Sequence, residues 1–148
     1  SDYTYTSGAA IAFNGTSSSF KYDTTGSAMT GTANRITASV SGFYQITFVG
    51  GAGAYGGTSP FFDYGTYSMI LVNGAGVAVN YCSLNSNADH TYWSQSIVVP
   101  LTAGQYVTAA FNGTASGSGG SHYIQVDGYT SLNYGMTRLS ATWLGPLS

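Results

Sequence analysis

The chain has 148 residues and a net charge of −2, and only 5% of its residues are charged while 43% are hydrophobic. That length fits a single domain with a sizeable core, 1–148, and the hydrophobic share excludes a disordered polyelectrolyte. Three scattered bases, Lys21, Arg35 and Arg138, exclude the clustered phosphate contacts of a nucleic-acid binder, and no apolar run approaches the ~20 residues of a membrane-spanning helix.

The helix formers Glu, Lys and Arg are nearly absent while Gly, Ser, Thr, Tyr and Val abound, so strand is favoured throughout. In chain order, residues 1–8 read as an extended N-terminal arm. The first strand is expected at Ala9–Phe13, closed by the turn pair Asn14-Gly15, with a weaker candidate at Phe20–Tyr22. Arg35–Val40 alternates polar and apolar as a half-buried strand does. Ser41-Gly42 turns the chain into Phe43–Val49, the segment of highest strand propensity. Gly50 to Thr66 reads as a loop rich in glycine and aromatic residues.

Tyr67–Val72 and Val77–Tyr81 flank Asn73-Gly74, a hairpin signal because both central residues of such a turn need positive φ. Asn85–Asp89 reads as a polar loop, Tyr92–Leu101 as a long strand, Thr102-Ala103-Gly104 as a turn and Gln105–Phe111 as the return strand. Gly113–Ser121 reads as a flexible polar segment. His122–Val126 is a short strand candidate, and Met136–Leu144 alternates through to Pro146. This succession points to an all-β, antiparallel two-sheet jelly-roll sandwich. The single Cys82 forms no intrachain disulfide, which leaves packing or oligomerisation to stabilise the fold.

Four segments resemble the trimeric jelly-roll superfamily of tumour necrosis factor and the complement globular heads. Ile36–Thr47, with its Ser41-Gly42-Phe43-Tyr44 centre, is similar to that family's strand, Gly-aromatic-Tyr, strand signature. Leu71-Val72-Asn73-Gly74 resembles its hairpin, Ser96–Val107 its long strand, Leu-x-x-Gly turn and return, and Ser131–Leu144 its closing strand. Gln105 departs from the acid common after the turn glycine, and the Gly/Ser insert at 113–121 is unusual, so no ligand or calcium site is carried over. The resemblance implies a homotrimer packed around a threefold axis, with Tyr44, Tyr106 and Trp143 as expected interface residues.

Catalytic chemistry finds little support. Asp89 neighbours His90, and His122 lies further on, but no Gly-x-Ser-x-Gly elbow leads into a helix. The spacing of Asp89, His90 and His122 matches no metal-ligand pattern, and nothing supports a catalytic carboxylate pair such as Asp63 with Asp127. Gly50-Gly51-Ala52-Gly53 opens no helix, so it is no phosphate cradle. No cofactor is implied.

Tyr55, Phe61, Phe62, Tyr64 and Tyr67 are instead the expected partner-binding residues, since aromatic rings bury large area at modest entropy cost and also stack on sugars. The alternative is that they cap the core. Trp93 and Trp143 are expected in the core or in trimer contacts. A weakly charged surface repels neighbours poorly and suits a subunit seated among other proteins. The family resemblance, joined to this charge-poor composition, implies as the leading expectation a non-enzymatic virion surface protein, a trimer that cements a major capsid protein. A start at Ser1, as left by initiator Met removal, adds the expectation of a complete protein made in the cytosol. The alternatives are a receptor-binding knob that recognises a host glycan or protein, and an extracellular or spore-surface globular head.

Overall fold

The computed structural model describes residues 3–4, 29–32, 35–55, 62–81, 90–116, 121–124 and 137–147. Ten strands are present among them and no helix: β1 (Tyr3–Thr4), β2 (Met29–Thr32), β3 (Arg35–Ala38), β4 (Gly42–Tyr55), β5 (Phe62–Val72), β6 (Ala75–Tyr81), β7 (His90–Leu101), β8 (Tyr106–Ser116), β9 (Ser121–Ile124) and β10 (Arg138–Gly145).

They form two five-stranded antiparallel sheets, and the chain crosses between them repeatedly, as a jelly roll does. In sheet A, β4 is the spine. It pairs along its length with β7 on one flank, while β10 and β9 share the other flank and β1 extends β9. Sheet B runs β2-β3-β8-β5-β6.

Period-two alternation decides what is buried. Sheet A turns Tyr44, Ile46, Phe48, Trp93, Val99 and Leu101 inward. Sheet B meets them with Ile36, Ile70, Val107, Ala109 and Phe111. At the centre, Trp93 stacks on Phe111 with ring centroids 5.1 Å apart and meets Phe48 edge-on at 5.4 Å. Such pairs add about 0.5–1.5 kcal/mol beyond the area they bury.

One end of the sandwich is knit by its turns. Asn73 (φ 48°) and Gly74 (φ 84°) make the hairpin turn predicted from Asn-Gly, both in the left-handed region. The Asn73 N–H donates to the Tyr106 carbonyl at 2.9 Å, and its side-chain oxygen accepts from the Tyr106 N–H at 3.0 Å. The Ala103 N–H donates to Ser41 Oγ (3.0 Å), and the Thr102 N–H donates to the Gln105 side chain (2.8 Å). Gly104 and Ala38 add backbone bonds between the same turns.

Several strands run further than the sequence suggested. β4 continues through Gly50-Gly51-Ala52-Gly53 to Tyr55 and β5 begins at Phe62, so Gly50–Thr66 is not one loop. β8 continues to Ser116, into the segment expected to be flexible. The strand candidates Ala9–Phe13 and Phe20–Tyr22, the loop Asn85–Asp89 and Cys82 lie outside the described residues.

Candidate functional site

The outward face of sheet A is built by the three strands around its spine. Phe43, Gln45, Thr47 and Val49 of β4 alternate with the buried Tyr44, Ile46 and Phe48. Register sets Pro100, Val98, Ser96 and Ser94 of β7 beside them on one flank, and Thr142, Ser140 and Arg138 of β10 on the other. The face therefore has layers. At one end Phe43 (40% exposed), Val98 (54%) and Leu144 (51%) form an apolar group, and at the other Tyr92 (60%) stands opposite Gly51.

The band between them is mostly hydroxyl and amide. Gln45 Nε2 donates to Ser96 Oγ (3.3 Å), Thr47 Oγ1 and Ser96 Oγ share a bond of 3.1 Å, and Ser96 Oγ donates to the Ile46 carbonyl (3.1 Å). Ser140 Oγ donates to the Thr47 carbonyl at 3.4 Å. These hydroxyls spend part of their capacity within the face, which lowers the cost of covering it. Arg138, in the row of Val49 and Ser94, is the one ionised group among the residues just named.

The three residues expected at a trimer interface do not share a face. Tyr44 corrects the expectation outright: it is fully buried between the sheets, and its hydroxyl donates to the Val40 carbonyl. It has no surface to give to a partner. Its alternation with Phe43 was the available signal, because a residue in step with Ile46 and Phe48 must face the core. Burial pushes the Tyr44 hydroxyl pKa up, and the bond to Val40 pulls it back in part. Tyr106 lies in sheet B, half-buried, with the Arg35 guanidinium 5.1 Å above its ring. Trp143 belongs to sheet A, where its indole nitrogen closes over Gly42. Trp93 is core.

The expected aromatic partner-binding group is likewise divided. Tyr55 ends β4 in sheet A, opposite Ser121 of β9, whereas Phe62, Tyr64 and Tyr67 pair with β8 in sheet B. Tyr67 is half-buried against Tyr81, with centroids 5.7 Å apart. Phe61 lies outside the described residues. Phe43, Tyr92, Val98 and Leu144 were missed because each looks like ordinary strand filling until the register shows which sheet face it joins.

His90 and His122 stand on opposite flanks of β4, opposite Gly53 and Ala54, while Asp89, the third member of that set, lies outside the described residues. Among the described residues no three His, Cys, Asp or Glu side chains gather as metal ligands, and no helix is long and apolar enough to cross a membrane.

Among the described residues, the strands define a two-sheet jelly roll, and sheet A carries a nearly neutral outward surface. Its structure is similar to that of Eiger TNF from S. frugiperda, at 10% identity and a TM-score of 0.48 over 81% of this chain and 71% of that one. It is also similar to rabbit GITRL (16% identity, TM-score 0.37, 66% and 75% covered) and to pika GITRL (15%, 0.36, 66% and 77%). No family model and no curated protein matches the sequence.

Proposed function

We propose that this chain is a non-enzymatic structural subunit that forms a homotrimer through the outward face of sheet A and decorates a virion by binding its major capsid protein. The observation that supports the reading is the make-up of that face: apolar groups at both ends, a self-bonded hydroxyl band between them, and Arg138 as its only cation among the named residues. A face that meets copies of itself is favoured when like charges do not confront one another. Charge depletion with apolar and aromatic enrichment is also the mark of an interface core. The virion setting is supported by composition. A subunit with 5% charged residues has little colloidal protection of its own and suits a permanent seat on a shell.

Light scattering at several concentrations tests the first half, with a mass three times that of the chain expected throughout the range. A monomer that persists at high concentration overturns it. Mass spectrometry of the native particle tests the second half by counting copies. Hundreds per particle agree with decoration, whereas a few dozen or fewer would replace it with a receptor-binding knob.

A further inference from the structure

Among the described residues, three side chains carry buried polar atoms that make no hydrogen bond. Ser68 Oγ, Trp93 Nε1 and both amide atoms of Gln95 are closed to solvent and make no hydrogen bond. More than nine in ten buried polar atoms in folded proteins are satisfied, by protein or by ordered water. Four orphans in one small region are therefore a signal.

They occupy one layer of the sandwich. The Trp93 indole touches both Phe111 and Phe48. Ser68 is the cross-strand neighbour of Phe111, and Gln95 is that of Phe48, so each stands about 5 Å from a residue whose ring packs on Trp93. On its other side Ser68 pairs with the half-buried Asn80 of β6. Strands β6 and β7 are terminal in their pairing order among the described residues and approach each other across this side of the sandwich.

We propose that this layer is an interior hydration site, in which at least one water bridges Ser68 of sheet B to Trp93 and Gln95 of sheet A. The donor and acceptor set selects the guest. A hydroxyl and a carboxamide each donate and accept, while the indole N–H only donates, so the guest must do both. No ionised side chain belongs to the set, which leaves a charged guest without a counter-charge. A buried water makes about three hydrogen bonds, and the three side chains of this layer together offer at least that number of donors and acceptors. The water ties the two sheets together where β6 and β7 end the pairing, and it does so whether or not the subunits associate.

The Trp93 indole N–H is the reporter. Water-selective NOESY and ROESY spectra of the folded chain should show a long-lived water cross-peak at the Trp93 Hε1, with the half-exposed Trp143 indole as internal comparison. Ser68→Ala and Gln95→Met keep volume while removing the polar atoms. Each should weaken that cross-peak and lower the Tm by about 3 °C, because a bridged hydrogen bond is lost. Absence of the cross-peak in the parent chain overturns the site. A Tm that is unchanged or raised in both variants overturns it as well, since removing truly unpartnered groups costs nothing.

Discussion

An added methyl group has little room at Gly42. A Cβ built there would lie 2.2 Å from Trp143 Nε1, 2.5 Å from the Gly145 carbonyl oxygen and 2.8 Å from Trp143 Cδ1. Gly42→Ala has two ways to relieve this. If Trp143 swings out, it forfeits its covered surface. The residue is 37% exposed, so about 150 Å² of a ring system that buries up to ~250 Å² would return to water, roughly 4 kcal/mol at about 25 cal/mol per Å². If instead the end of β10 shifts at Gly145, the cost is that of overpacking, about 1–3 kcal/mol. The cheaper route sets the loss at about 2–3 kcal/mol, which for a chain of this length lowers the Tm by roughly 5–10 °C. Calorimetry at one fixed protein concentration measures it, so that association does not shift the midpoint. The double variant with Trp143→Ala isolates the cause. Two of the three close atoms are then gone and only the Gly145 carbonyl contact remains, so Gly42→Ala should cost less in that background than in the parent. Equal losses in both backgrounds, or a single variant that melts with the parent, would refute the indole contact as the reason for glycine.

Gly50→Ala should be worse, because the obstructing indole of Trp93, 2.5 Å from the new Cβ, is buried between Phe48 and Phe111 and has no exit; a loss of at least about 3 kcal/mol in chemical unfolding is expected. Asn73→Ala forfeits a bond to the Tyr106 N–H and strains a left-handed residue, so the denaturation midpoint should fall by an amount worth about 1–2 kcal/mol, with Asn73→Gly losing less. Tyr44 has a folded pKa above its unfolded one. Its contribution is intact below pH ~10 and is lost as pH rises from there through the folded value, so an alkaline stability series should decline less steeply in Tyr44→Phe. Ser96→Arg puts a cation into the hydroxyl band; scattering mass should drop to that of one chain while far-UV circular dichroism keeps the parent's strand spectrum, and a variant that keeps the parent's mass argues against this face as the interface.

The sequence was most legible where alternation and turn chemistry coincided. Asn73-Gly74 had a single physical solution, and Leu139 and Ala141 packed inward while Arg138, Ser140 and Thr142 faced out, as their spacing implied. It misled where glycine mimicked a loop. Gly50-Gly51-Ala52-Gly53 has poor strand propensity, yet it pairs with β7, and the Trp93 ring leaves no room for a Cβ at Gly50, a tertiary demand invisible locally. Aromatic density along the chain does not show which sheet carries each residue: Tyr55 ends a strand of sheet A, whereas Phe62, Tyr64 and Tyr67 lie on a strand of sheet B. The direction of Tyr44 is legible in its neighbours, since it alternates in step with the buried Ile46 and Phe48.

The spine strand of sheet A depends on partners that are remote along the chain. Thr47 accepts a hydrogen bond from Ser140, 93 positions away, and Gln45 bonds to Ser96, 51 positions away. Contacts of such high order are slow to find, and folding in milliseconds to seconds is the ordinary tempo for sandwiches of this kind. During synthesis the flank of β4 that receives Arg138–Gly145 stays bare until those residues have been made. A nascent chain thus exposes a long, uncharged strand edge throughout most of its production, and ribosomes placed close together on one message would bring such edges within reach of each other.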